Sequence, residues 1–221
     1  MIITTNQALR ERDPHDFYPT PPLLASVALN LLPWNIAAAP HLKELICDIG
    51  AGTGVWGDAA KARWPQALID GCDIRDLPKP QSYDQWVIKD FRELEVRSGT
   101  YDASIGNWAY KHAEECLRKS IFSVREGGYV LALLRLAFLE SQVRGRGLWR
   151  QFQPQSVHVL VSRPSFITEG PKAGKTDETA YAIYIWQKGW TGQPALNWLD
   201  WDPEGKPRKK RRETALSQQG T

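Results

Sequence analysis

Cysteine is scarce in this 221-residue chain. The three present, Cys47, Cys72 and Cys116, form no C-x-x-C pair, which argues against a zinc site or a disulfide framework. Cys47 and Cys72 sit in short apolar runs, so reduced core thiols in a cytosolic compartment are expected. Long apolar runs are missing as well. The best candidate, residues 129–139, is short and contains Arg135, so no membrane span is expected. The N-terminal stretch lacks the basic-then-apolar pattern of a secretory leader. The chain body also lacks an excess of either charge, although the formal net charge is +3. Residues 202–221 hold six of the 28 Lys/Arg and three of the 25 Asp/Glu, which leaves 22 of each elsewhere. Any nucleic acid bound by the body must therefore meet a local patch, not a global field.

What is present has the rhythm of one α/β domain. The length supports a single good core. Seven short β-type runs are expected: 45–49, 67–72, 85–88, 101–106, 128–134, 156–161 and 180–186. Helical patterns lie between several of them, with Ala113, Leu117, Ile121 and Val124 recurring at helix spacing. Such alternation predicts a mostly parallel sheet with right-handed crossovers. Pro21-Pro22 is expected to open a helix over 23–32. The last two strands have no clear helix between them. Their link, 162–179, is rich in Gly, Pro and Lys. The first fifteen residues are polar and expected to be loose. The domain is assigned to 16–202, with a disordered basic tail over 203–221. The run Lys206 to Arg212 in that tail suits phosphate contact; a solvated tail is the competing reading.

The most informative stretch is Asp48-Ile49-Gly50-Ala51-Gly52-Thr53-Gly54. It follows the apolar run 45–47 and precedes an amphipathic one, so it reads as strand, glycine turn, helix. Glycines there allow close backbone approach and conformations closed to other residues. The spacing G-x-G-x-G differs from the G-x-G-x-x-G of dinucleotide sites. With Asp48 it resembles the first motif of class I S-adenosylmethionine (SAM) methyltransferases. That resemblance implies a Rossmann-like sheet of seven strands with a late antiparallel strand, and SAM as cofactor. Asp73 stands after the second strand, 19 residues beyond Gly54, where a carboxylate can accept from two ribose hydroxyls; Asp76 is a rival. Asp90 and Phe91 follow the third strand, and the resemblance implies adenine contacts there, with a plain core role as the alternative for Phe91. Asp48 would lie near the methionine end of SAM, and Gly50 and Gly52 would approach it through their backbone.

Upstream, Asp16-Phe17-Tyr18-Pro19-Thr20-Pro21 resembles the D-x-Y-x-T-P segment of phage and bacterial adenine-N6 DNA methyltransferases. The resemblance implies that Tyr18, Thr20 and Pro21 close over SAM. After the fourth strand comes Asn107-Trp108-Ala109-Tyr110, where amino-methylating enzymes carry [DNS]-P-P-[YFW]. An exocyclic amine is a poor nucleophile because its lone pair is delocalised into the ring. An Asn oxygen and the next carbonyl can accept its N–H groups and aim the lone pair at the methyl, which is catalysis by positioning. Asn107 would do this, and Tyr110 would stack on an extruded base. Both prolines of the family pattern are replaced here, and Trp108 is bulky enough to fill the target pocket. Further stretches, among them 133–141, 163–166 and 176–182, extend the resemblance over about residues 16–200. Arg144, Arg146 and Arg150, interleaved with Gly145, Gly147 and Trp149, are expected to form a flexible basic loop that contacts DNA, and the 162–179 loop adds Arg163, Lys172 and Lys175. Solvated arginines are the competing reading. The expectation is a cytoplasmic SAM-dependent enzyme of a bacterial or phage-infected cell, methylating adenine N6 in DNA and needing no metal. The alternatives are a class I methyltransferase acting on RNA, protein or a small molecule, and a non-catalytic SAM- or DNA-binding protein.

Overall fold

The computed structural model describes residues 18–39, 42–166 and 179–204. One open sheet organises them. Its strands are β1 (Leu45–Ile49), β2 (Leu68–Asp73), β3 (Gln85–Ile88), β4 (Tyr101–Gly106), β5 (Val124–Arg135), β6 (Ser156–Leu160), β7 (Tyr181–Gln187) and β8 (Ala195–Leu199). Their spatial order is β3-β2-β1-β4-β5-β7-β6-β8. Every adjacent pair is parallel except the two made by β7, which runs against both β5 and β6. All seven expected runs are strands. The sheet has an eighth, β8, that the sequence pattern does not signal. It is an edge strand whose Leu196 and Trp198 are exposed, so no alternation of buried and solvent positions marks it.

Helices α1 (Pro22–Leu29) and α2 (Val55–Arg63) cover one face, and α3 (Ala113–Ser123) covers the other. Helix α1 starts where the proline pair places it and ends three residues short of the expected span. Strand alternation sorts the core by face. Ile46, Leu131 and Leu133 point toward α1 and α2; Cys47, Ile49, Val130, Ala132 and Leu134 point toward α3. The three cysteines are buried free thiols on the α3 face. Burial pushes the Cys72 thiol up to about 11, which keeps it protonated and unreactive near neutrality. Strand order reverses between β1 and β4, and in open α/β sheets that is where a crevice forms at the carboxyl ends of the strands. Among the described residues, no helix is long and apolar enough to cross a membrane.

Candidate functional site

A cleft of about 970 Å3, open to solvent, lies at that crevice. Its walls come from the segment before α1, the turn after β1, and the ends of β2, β3 and β4. Gly50, Gly52 and Gly54 have φ of 70°, 62° and 91°. Three alternate left-handed residues account for the G-x-G-x-G spacing. A side chain at Gly50 would meet no atom within 4 Å, so its conformation, not crowding, demands glycine there. The turn is tied to β2 through its own N–H groups. Gly50 and Ala51 donate to the Cys72 carbonyl at 2.9 and 3.0 Å, and Gly52 donates to Asp73 Oδ2 at 2.8 Å.

Asp73 lines the cleft, as the sequence suggests. Burial raises its proton affinity, but hydrogen bonds from the Arg75 side chain and backbone and from Gly52 outweigh that and hold it below the usual carboxylate range. Asp90 and Phe91 also line the cleft. The Arg92 guanidinium grips the Asp90 carboxylate at 2.5–3.0 Å and holds its pKa down to about 2. Phe91 packs against the α3-face core and meets His112 edge-on at 6.2 Å, so it serves both the core and the wall.

Asp48 is placed differently from the expectation. It is fully buried and does not line the cleft. Its Oδ2 accepts from the Tyr83 hydroxyl at 2.6 Å, that hydroxyl accepts from Gly57 N–H at 3.1 Å, and its Oδ1 has no hydrogen-bond partner among the described residues. Asp48 thus braces the turn from behind. Burial pushes its pKa up to about 7, against the opposing Tyr83 bond, with Asp73 adding to the rise. Tyr83 escaped the sequence reading because nothing local marks it; it reaches Asp48 from 35 residues away.

The 18–20 segment forms the opposite wall. Thr20 Oγ1 accepts from Trp56 Nε1 at 3.2 Å, and the Tyr18 carbonyl accepts from Asn107 Nδ2 at 2.8 Å. Pro21 sits one step back as the N-cap of α1 and does not line the cleft. Asp16 and Phe17 lie outside the described residues. So do the strip 176–178, Lys172, Lys175 and the basic run of the tail.

Asn107 does line the cleft. With its Nδ2 given to Tyr18, its Oδ1 is left as the acceptor, approached by the Tyr110 hydroxyl at a long 3.5 Å. Tyr110 departs from its expected role. Tyr18 stacks on its ring at 5.5 Å, the Arg135 guanidinium lies over it at 4.5 Å, and Tyr181 tilts against it at 5.9 Å. Burial first, then Tyr181, raise its hydroxyl pKa well above the ordinary value. In this arrangement the ring packs among Tyr18, Tyr181 and Arg135 and does not line the cleft. Trp108 lines the cleft but is only 1% exposed, because its indole packs into the α3-face core. A side chain at Gly106 would meet its Nε1 at 2.9 Å, so the glycine makes room for the indole.

Residues 142–151 are not a flexible loop but two short helices, α4 (Gln142–Arg146) and α5 (Leu148–Gln151). Arg144 is turned inward. Its Nε donates to the Phe138 carbonyl at 2.9 Å, its Nη2 donates to the Glu140 carbonyl at 2.8 Å, and it covers the Phe138 ring. Arg146 and Arg150 are exposed, and none of the three lines the cleft.

No family model matches the chain, and no curated protein matches it. Solved structures do. A class I SAM-dependent methyltransferase from Listeria monocytogenes, described as putative, superimposes with a TM-score of 0.60 at 14% identity, over 84% of this chain and 66% of that one. This chain has the class I methyltransferase fold. A predicted O-methyltransferase from Agrobacterium tumefaciens gives 0.53 at 16% identity, covering 80% and 84%. The tRNA (m1A58) methyltransferase of Aquifex aeolicus gives 0.50 at 17% identity, covering 80% and 72%. The chemistry named for the last two differs, an O-methyltransferase in one case and a tRNA m1A58 methyltransferase in the other.

Proposed function

We propose that this chain is a SAM-dependent methyltransferase whose acceptor is an exocyclic amine, with adenine N6 in DNA as the favoured target. The observation that carries the reading is Asn107. It stands at the carboxyl end of β4 on the cleft wall, with its amide nitrogen fixed and its oxygen the remaining acceptor. An amide oxygen held this way accepts an amine N–H and directs the nitrogen lone pair into the cleft, which is catalysis by orientation.

The cleft suits the cofactor. Its turn is open over Gly50, and Asp73 offers a carboxylate at the end of β2. Asp73 would hold the ribose hydroxyls, Asp90 and Phe91 the adenine, and the 18–20 segment would cover the methionine end. When bound, SAM supplies an electrophilic methyl on sulfur. The chain contributes position: Asn107 orients the amine, and the Asn107–Tyr18 bond joins the acceptor wall to the cofactor wall. Arg146 and Arg150, being exposed, are the proposed phosphate contacts of the 142–151 segment.

A different acceptor, such as RNA, a protein or a small molecule, is the second reading. It is favoured by the packing of the Tyr110 ring against Tyr18 and Arg135, away from the cleft lining, and by Trp108-Ala109 in place of the proline pair. Transfer of labelled methyl from SAM separates the two. Unmethylated DNA, RNA and free adenosine are offered in parallel, with Asn107→Ala as the control. Label recovered as N6-methyladenine in DNA, and reduced by about 100-fold or more in the variant, supports the first reading. Label in another acceptor selects the second. No label in any acceptor, despite cofactor binding by calorimetry, sinks the enzymatic reading.

A further inference from the structure

A carboxylate has two oxygens and about four lone-pair sites. At Asp73 all four are taken. Oδ1 accepts from the Arg75 backbone N–H and from Arg75 Nε, each at 2.9 Å. Oδ2 accepts from Gly52 N–H at 2.8 Å and from Arg75 Nη2 at 3.2 Å. Two of these bonds are fixed by the backbone: the Gly52 N–H belongs to the glycine turn, and the Arg75 N–H follows the strand end. The other two come from one side chain. Withdrawal of the Arg75 guanidinium frees one site on each oxygen, which is the number a pair of adjacent hydroxyls needs.

We infer that the Arg75 guanidinium is an internal competitor for the Asp73 carboxylate, and that a ligand bearing a vicinal diol binds by exchanging with it. The inference rests on the proposed cofactor site and adds a selectivity device to it. Arg75 lines the same cleft, and its side chain keeps 18% of its exposure against 5% for Asp73, so it has a path to solvent that the carboxylate lacks. Such a fork keeps the Asp73 carboxylate ordered and neutralised. The cost is that only the fraction of molecules with the guanidinium withdrawn is competent, which weakens apparent affinity by that fraction. The Asp-x-Arg pattern recurs at Asp90-Phe91-Arg92, but that pair is far more open, with Arg92 48% exposed, and is correspondingly easier to displace.

Calorimetric titration with S-adenosylhomocysteine, and with its 2′-deoxy analogue, tests this in wild type and in Arg75→Met. The expected result is about five- to tenfold tighter binding of the diol ligand by Arg75→Met. The gain should shrink for the 2′-deoxy ligand, which asks for one acceptor site instead of two. Arg75→Lys keeps the charge without the planar fork and should show a smaller gain; it also serves if the Met variant fails to fold. Equal or weaker binding of S-adenosylhomocysteine by a folded Arg75 variant overturns the inference while leaving the cofactor reading intact. An equal gain for both ligands also overturns it, because competition for a diol is then not the cause. Binding by neither wild type nor variant overturns the cofactor reading and this inference together.

Discussion

The two walls of the cleft differ in what holds them. The β1–β2 wall is built from backbone: three left-handed glycines, three turn N–H groups bonded to the end of β2, and one buried Asp–Tyr brace behind them. The β4 wall is built from side chains: Asn107 tied to Tyr18, Tyr110 clamped among Tyr18, Tyr181 and Arg135, and Trp108 sunk into the core. A wall made of backbone geometry writes itself into the sequence as glycine spacing. A wall made of long-range packing leaves only residue identities, whose partners must be found in three dimensions. The glycine motif of the first wall matches the resembled pattern, whereas the second wall keeps Asn107 and Tyr110 but not the two prolines.

The largest effect is expected at Trp108. Its indole is buried in the α3-face core, which also holds Ile49, Cys72, Cys116 and Leu117. Trp108→Ala should cost about 3–5 kcal/mol of unfolding free energy, measured by urea denaturation. Trp108→Pro should be comparably destabilising, because the indole volume is emptied whatever the loop gains in stiffness. A proline at 108 is therefore no simple restoration of the N-P-P-Y loop. A loss under about 1 kcal/mol in the Ala variant would show that the β4 wall does not depend on this anchor.

The Asp48 brace gives the first wall a pH signature. Its folded pKa is raised to about 7, above the ordinary carboxylate value, so the folded state holds this proton more tightly than the unfolded chain. The stabilisation from protonated Asp48 is full below the unfolded pKa near 4 and is lost as pH rises through about 7. Asp73 and Asp90 are shifted the other way; their stabilisation is lost only as pH falls below the ordinary range, outside this window. Asp48→Asn does not titrate. Its stability relative to wild type should climb between pH 5 and 7 by up to a few kcal/mol and level off above. Urea unfolding across pH 5–8 checks it. A flat difference would mean that Asp48 is ionised throughout or is reached by water.

Gly57→Ala strikes the same brace from the helix side. A side chain at Gly57 would come within 2.4 Å of the Tyr83 ring, which must then shift and loosen its hold on Asp48. A loss of about 1–3 kcal/mol is expected, with the pH dependence of Asp48 reduced in the same variant. The stability loss with an unchanged pH profile would separate Tyr83 packing from the Asp48 bond.

The legible part of the molecule follows from periodicity and from backbone demands. All seven expected strands are present, because each carries a short apolar run between turn signals, the antiparallel β7 and the exposed edge strand β3 included. The Gly50–Gly54 turn, Asp73 at the end of β2 and Asn107 at the end of β4 could be placed because each follows an apolar run. What was not legible depends on sequence-distant contact. Asp48 and Asp73 both end strands, yet one points behind the turn and the other into the cleft, and only Tyr83 and Arg75 tell them apart. The family aromatic at Tyr110 likewise keeps its identity while its ring is claimed by Tyr18 and Arg135. β8 was missed because Asn197 interrupts its apolar residues, whereas β3, the other exposed edge strand, has the unbroken run Trp86-Val87-Ile88.

The arginines between β5 and β6 give the smallest expected effects and the cleanest division of labour. Arg144 donates to main-chain carbonyls at the end of the 136–139 turn and covers Phe138, so Arg144→Ala should lose about 1 kcal/mol of stability. Arg146 is exposed, and Arg146→Ala should stay within about 0.5 kcal/mol of wild type. If the segment meets DNA, the order inverts in a binding assay: loss of Arg146 weakens binding uniformly across sequences and lowers the salt slope by about one unit. Loss of Arg144 should then act on binding only as far as it loosens α4. A salt slope lowered by Arg144→Ala and untouched by Arg146→Ala would reverse that division and make Arg144 the phosphate contact.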